Sequence, residues 1–188
     1  TQLALRYVIF GGEALDFNAL RTWQQHHDLD APRLINMYGI TETTVHVTLY
    51  PVSSADLQRG GSIIGKPISD LHTHIVNDKG QRQPIGIPGE ILVAGPGVTR
   101  GYLKRDDLTA QRFVANPFVS ELPATAHVAY QRLYRSGDLG RYRADGNIDY
   151  LGRIDFQVKI RGQRIELGEI EHRMAQLPHV REAIVLVT

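Results

Sequence analysis

The rhythm of apolar and polar positions changes twice along the chain. Arg6-Tyr7-Val8-Ile9-Phe10 is a β-branched and aromatic run stopped by Gly11-Gly12, and it reads as a buried strand entering a loop. Asp16 is placed to cap a helix reaching about His27, with Phe17, Leu20 and Trp23 on one apolar face. Pro32 closes that connection, and Leu34-Ile35-Asn36-Met37 forms a second short strand. Strand, helix, strand with a loop after each strand predicts an α/β unit.

From about residue 60 glycine and proline become dense, and short apolar runs alternate with turns. His72 to Val76 leads into Asn77-Asp78-Lys79-Gly80, a hairpin signal. Glu90 to Ala94 is another strand, Asp106 to Phe113 a short helix, and Leu139 to Leu151 a hairpin turning at Ala144-Asp145-Gly146. This stretch predicts a small β-barrel or sandwich. After Gly152-Arg153 the pattern becomes a ribbon (Phe156 to Ile160, Gly162, Gln163 to Leu167). A helix follows from Gly168 to Leu177, with Glu169 and Glu171 in its first turn, and then a strand from Val180 to Val187. The expected organisation is therefore the end of an α/β core over 1–59, a β-barrel-like unit over 60–152, and the start of a small α+β lobe over 153–188.

Composition narrows the function classes. The 188 residues are 42% hydrophobic and 22% charged with a net charge of +1, so nothing in the balance calls for a nucleic acid or an anionic membrane as partner. There is no cysteine, hence no disulfide framework and no thiolate nucleophile, which suits a cytoplasmic setting. No apolar run approaches the ~20 residues that span a bilayer. The first residues are not a signal peptide and the last lie inside an expected strand, so the chain reads as a piece of something longer.

Four stretches carry candidate chemistry: Asn36-Met37-Tyr38-Gly39-Ile40-Thr41-Glu42-Thr43-Thr44; Gly89 to Leu103; Tyr134-Arg135-Ser136-Gly137-Asp138-Leu139; and Gly152 to Gly162 with Arg164-Ile165-Glu166-Leu167-Gly168-Glu169-Ile170-Glu171. Attack of a carboxylate on the α-phosphate of ATP builds charge on phosphate oxygens, so a site for it needs a metal, hydroxyl or amide donors, and cations. Tyr38 offers an aromatic face, Thr41 a hydroxyl, Glu42 a hard oxygen for Mg²⁺, Asp138 a carboxylate for two ribose hydroxyls, and Arg153 a cation. Taken singly each has a plainer reading: Tyr38 a packing aromatic, Thr41-Glu42 a helix start, Asp138 a turn residue, Arg153 with Asp155 a surface ion pair. Asp28-Leu29-Asp30 reads as a solvated loop. His72 and His74 share a strand face without a third ligand nearby.

In this order and spacing the four stretches resemble the adenylate-forming superfamily, and most closely the adenylation domains of nonribosomal peptide synthetases. The resemblance covers nearly the whole chain. It implies a partial acyl-adenylate synthetase-like fold, ATP and Mg²⁺ as cofactors, and an amino acid joined to AMP with release of pyrophosphate, for antibiotic or siderophore biosynthesis. It assigns Tyr38, Asp138 and the Gly11-Gly12-Glu13 backbone to the nucleotide, Thr41, Glu42 and Arg153 to catalysis, and Glu42 to the metal. Asp155 matches the hinge about which the C-terminal lobe rotates, presenting Lys159 to Gly162 to the phosphopantetheine thiol of a carrier domain. A condensation domain and an MbtH-like protein are implied partners. Ile9, Gly11, Met37, Val45 and His46 match half of the acyl-pocket lining and resemble threonine-activating domains.

The family's Gly/Ser/Thr-rich phosphate loop and late catalytic lysine are not in this sequence. The 188 residues alone are accordingly expected to be inactive. Two other readings compete: an acyl- or aryl-CoA synthetase, which shares half the motifs, and a non-catalytic docking scaffold.

Overall fold

The computed structural model describes residues 4–187 apart from 30, 123, 156 and 161. In chain order the strands are β1 (Tyr7–Phe10), β2 (Arg33–Tyr38), β3 (Thr48–Pro51), β4 (Ile63–Pro67), β5 (His72–Val76), β6 (Gly89–Ala94), β7 (Phe113–Ala115), β8 (Arg132–Tyr142), β9 (Ile148–Arg153), β10 (Gln157–Ile160) and β11 (Gln163–Glu166). The helices are α1 (Arg21–Gln24), α2 (Ser54–Arg59), α3 (Asp106–Arg112), α4 (His127–Tyr130) and α5 (Leu167–Ala175). Nine strands join one sheet in the order β1-β2-β3-β4-β9-β8-β6-β5, with β7 pairing from the side onto β8. β10 and β11 form a separate two-stranded ribbon.

The α/β unit is present. β1 and β2 run parallel, with Val8 opposite Leu34. The connection between them is a 3-10 turn over Phe17–Leu20 that passes into α1, shorter than the single helix expected. Asp16 does cap it, its carboxylate accepting the Asn18 amide at 2.9 Å. Phe17 and Leu20 pack with Leu34, Val52, Leu57 and Ile63, which secures this crossover to the sheet. Leu29 joins the same cluster, so the stretch expected as a solvated loop is anchored at its centre; Asp30 lies outside the described residues.

Three expectations need correction. Residues 60–152 do not close into a barrel. Closure would require β5 to find a second strand, and among the described residues it pairs along its length only with β6, with a single bridge from Val76 to Arg82. Bulges at Ile63/Gly65, Glu90/Leu92 and Leu139/Gly140 bend the sheet instead. Second, β1 is not buried: among the described residues it pairs only with β2, and Tyr7 and Ile9 stay exposed on its outer face. Third, residues 181–187 are not a strand. A strand needs a ladder partner, and this segment is instead tied by the Val185 amide donating to Glu171 Oε1 at 3.0 Å. That contact uses Glu171, which lies beyond the first turn of α5; Glu169 alone sits in it.

The ribbon and the two hairpin regions follow the expected pattern in outline. Phe156 and Arg161, expected in the ribbon, lie outside the described residues. Asn77 builds the turn after β5 by accepting the amides of Lys79 and Gln81 on its side-chain oxygen, but the main partner of β5 arrives later, at β6.

His72 and His74 do not form a metal site. Each ring lies against an aromatic neighbour, His72 on Tyr130 and His74 on Phe118, and among the described residues no three His, Cys, Asp or Glu side chains gather. Burial first, and then the Arg82 charge, push His74 from the usual 6.5 to about 4, with Glu121 opposing and His72 assisting. Between those values the unfolded chain binds a proton that the folded chain refuses. The stability this group contributes is therefore complete above about pH 6.5 and declines as pH falls towards 4. Urea unfolding is expected to show up to about 3 kcal/mol of that slope removed in His74→Gln; identical slopes in variant and parent would exclude it.

Candidate functional site

The site begins where β2 ends. Tyr38 sits in the core with Val47, Ile64, Ile91 and Ile148, and its hydroxyl donates to Asp138 Oδ2 at 2.6 Å, across 100 residues of sequence. Asp138 lies on β8 opposite Arg153 of β9 and is 1% exposed. Its other oxygen accepts from Arg153 Nη1 at 3.0 Å and from the Tyr150 hydroxyl at 3.4 Å. Arg153 also holds Asp155 in a two-pronged pair, Nε to Oδ1 at 2.8 Å and Nη2 to Oδ2 at 2.7 Å, and Arg112 of α3 approaches Asp155 at 3.6 Å.

Burial, reinforced by the neighbouring Asp138 carboxylate, pushes the Tyr38 phenol far above its ordinary range, so it is a fixed hydrogen-bond donor. Burial acts to lower Arg153, but its carboxylate partners outweigh that and raise it. The result is a relay of side chains, Asp138–Arg153–Asp155–Arg112, in which a buried carboxylate is paired with a cation.

Glu42 occupies the next loop, in a 3-10 turn over Thr41–Thr43. The loop is tied down by the Thr43 hydroxyl donating to the Ile40 carbonyl, the Thr44 hydroxyl to the Gly97 carbonyl, and the Thr99 amide to the Glu42 carbonyl. Its backbone is strained: Thr44 and Val45 have φ of 59° and 74°, and a β-branched residue rarely adopts the latter. Glu42 Oε1 accepts from the Tyr102 hydroxyl at 2.6 Å and from Arg164 Nη1 at 2.8 Å. Burial alone would raise this carboxyl, but the Tyr102 hydroxyl and the Arg164 charge outweigh it and hold it below the usual range.

Among the described residues Glu42 Oε2 is buried without a hydrogen-bond partner. An ionised carboxylate with one orphan oxygen, and no carboxylate cluster around it among the described residues, suits a hard cation that takes most of its shell from phosphates and water. The donor set thus fits a magnesium ion at Glu42.

The ribbon β10–β11 lies over this region. The Gly162 amide donates to Glu13 Oε1 at 2.8 Å, and Arg164 reaches Glu42. Gly12, Glu13, Met37, Tyr38, Tyr150 and Lys159 line a small cavity of about 30 Å³. A wider groove takes in Gly12, Thr41, Val45, His46, Lys159 and Arg164. Burial pushes the Lys159 ammonium down.

Of the residues singled out from sequence, Gly12, Glu13, Tyr38, Thr41 and Glu42 come together, with Asp138 and Arg153 joined through Tyr38 and Tyr150. Gly11, Met37 and His46 also converge: a Cβ on Gly11 would lie 3.4 Å from both His46 Cε1 and the Met37 carbonyl. Ile9 is 58% exposed and lines neither space; Val45 is 63% exposed at the groove rim. Asp155 sits beside Arg153, next to the ribbon. Lys159 entered as the start of the stretch facing the carrier thiol, whereas Tyr102, Tyr150 and Arg164 were not singled out. Tyr102 and Arg164 lie inside the quoted stretches; Tyr150 stands three residues before Arg153, on the opposite face by regular alternation, so the pattern along β9 carried no signal for it.

The sequence profile of the AMP-binding enzyme family matches residues 1–103. The chain belongs to this family. It is 51% identical over 98% of its length to a plipastatin synthase of Bacillus subtilis (strain 168) and 50% identical over 98% to a dimodular nonribosomal peptide synthase of the same organism. It spans only 7% and 8% of those relatives. Among solved structures it matches PA1221, a nonribosomal peptide synthetase protein containing adenylation and PCP domains, at a TM-score of 0.81 and 31% identity, covering 95% of this chain and 34% of that one. The fold is accordingly that of the C-terminal part of an adenylation domain, and the family is one of ATP-using ligases. No helix of the described residues is long and apolar enough to cross a membrane.

Proposed function

We propose that this chain is the nucleotide-gripping part of an amino-acid-activating ligase, which joins an amino acid to AMP and passes it to a carrier-domain phosphopantetheine thiol in nonribosomal peptide synthesis. The observation that carries the reading is the Tyr38–Asp138 pair beside a cavity shared with the Gly12-Glu13 loop and Lys159. The full-length relatives are far longer than this chain, so the complete activity belongs to the chain together with flanking sequence.

Each residue has a task in that reaction. The Asp138 carboxylate accepts the ribose hydroxyls while Arg153 holds it in place. The Tyr38 ring and the Gly11-Gly12-Glu13 backbone flank the adenine. Thr41, exposed at the groove, donates to a phosphate oxygen, and Arg153 supplies positive charge on the ribose and phosphate side. Glu42 holds magnesium, which when bound disperses the charge on the phosphates. Asp155 is the hinge, placing Lys159 and its neighbours against the site in one lobe position and against a carrier thiol in another. We place this work in the cytoplasm, with a carrier domain, a condensation domain and an MbtH-like protein as partners.

Threonine is the proposed substrate. Gly11 leaves space, the Met37 carbonyl and the His46 ring approach the same spot, and Met37 also lines the adjoining cavity. A hydroxyl that meets such a group is selected sharply, whereas a methyl is worth only about 1–3 kcal/mol. Ile9 and Val45 are the weaker part of the assignment, being exposed here.

Amino-acid-dependent ATP–pyrophosphate exchange by the full chain with its flanking domains tests the reading. Threonine is expected to give the fastest exchange, ahead of 2-aminobutyrate and valine. Acyl-CoA formation without amino-acid dependence would move the protein to the CoA synthetases, and absence of nucleotide binding would make it a scaffold. The 188 residues by themselves are expected to show no exchange, because neither a phosphate loop nor the late lysine is among them.

A further inference from the structure

Glu42 is more crowded than a metal ligand needs to be. Oε1 already carries two donors, the Tyr102 hydroxyl and Arg164 Nη1. Among the described residues Oε2 has no hydrogen-bond partner, and it is shut off from solvent. Arg164 arrives from 122 residues away on a ribbon that belongs to neither edge of the main sheet. Its guanidinium is aimed by its own strand pair, since Nε donates to Gln157 Oε1 at 2.7 Å. Two polar links, Gly162 to Glu13 and Arg164 to Glu42, fasten the ribbon over the site.

A buried carboxylate needs a counter-ion, since leaving it unpaired is costly. In the seated arrangement Arg164 is that counter-ion, and the remaining oxygen is closed to a hydrated metal. Magnesium dehydrates reluctantly and keeps several waters, so a closed oxygen does not admit it. With the ribbon lifted, Glu42 loses the Arg164 cation and keeps the Tyr102 hydroxyl on Oε1.

We propose that Arg164 and a divalent metal ion are alternative counter-ions of Glu42, so that seating of the β10–β11 ribbon and occupancy of the metal position exclude each other. The proposal rests on the functional reading above and deepens it. Metal departure calls the ribbon down, and metal arrival holds it off, through one carboxylate. Arg164 is a positioning residue in this scheme.

The test uses the full chain with its flanking domains and Mn²⁺ alone as probe, with no nucleotide, following free Mn²⁺ by electron paramagnetic resonance into the millimolar range. Arg164→Ala is expected to bind Mn²⁺ at least ~10-fold more tightly than the parent at Glu42, and Glu42→Gln in that background to remove the gain. Arg164→Lys, which keeps the charge without the planar fork, is expected to fall between, a rescue that loss of packing would not show.

A second readout is available because this chain has no cysteine. Spin labels at Gln163→Cys and Lys79→Cys, both exposed, report the ribbon's distance from the sheet. Saturating Mg²⁺ is expected to lengthen it in the parent, and Arg164→Ala to show the longer distance without metal. Equal Mn²⁺ affinity in parent and Arg164→Ala, or a distance indifferent to Mg²⁺, would overturn the proposal. Failure of amino-acid-dependent exchange in the parent would instead remove the functional reading, leaving the Mn²⁺ competition to be judged by its own measurement.

Discussion

Asp138→Ala is expected to weaken ATP binding by more than about 100-fold and to destabilise the fold by about 3–5 kcal/mol. Both losses have one origin. The side chain is 1% exposed and serves Tyr38 on one oxygen and Arg153 on the other. Its removal strands a buried phenol and leaves Arg153 with Asp155 and the Ser136 carbonyl. Asp138→Asn separates the two effects. Its carbonyl still accepts the Tyr38 hydroxyl, so about half of the stability loss is expected to return, while the second acceptor oxygen for ribose does not. Calorimetric titration with ATP and urea unfolding of the same samples give both numbers. A stable Asp138→Ala that binds ATP as the parent does would exclude the assignment of this carboxylate.

Gly39→Ala is expected to be the most damaging single-methyl change near the site. A Cβ at 39 would be driven into the Val45 carbonyl and against His46 Cα, both backbone, so no side chain can swing away to make room. The loop that would have to move is the strained one, held by Thr43, Thr44 and Thr99. A loss of roughly 3 kcal/mol or more follows from overpacking that only a backbone shift can relieve, with nucleotide binding lost alongside. Thermal unfolding and ATP titration check it. An ordinary melting temperature for Gly39→Ala would mean the loop adapts far more freely than its bonding implies.

The convergence of Tyr38 with Asp138 was legible from the order of the motifs, each residue standing beside a glycine on a strand, although the two side chains meet in the buried interior. The ribbon was legible for a similar reason: the alternation over 157–160 and 163–166 brackets Gly162, whose φ of 74° makes the turn. The barrel was not. Short strands at regular spacing look alike whether or not the first and last meet, and the bulges that decide curvature leave no periodic trace. The final apolar run from 180 misled for a related reason, since β-branched residues favour a pleated surface only when one is beside them. Tyr102 and Arg164 were missed as partners of Glu42 because such pairs, 60 and 122 residues apart, depend on which loop folds over which. Ile9 was placed by motif position alone, and nothing in its own strand revealed that its face would stand open.

Gly137 interlocks two parts of the molecule that would otherwise be independent. A methyl there would meet Arg153 Nη2, Asp155 Oδ2 and Arg112 Nη1 at 2.9, 3.1 and 3.2 Å, and its φ of 70° already disfavours any side chain. On the functional reading proposed above, the grip on the sugar and the pivot of the lobe share one knuckle of bare backbone. A substitution at that knuckle is then expected to disturb both, so that the two change together.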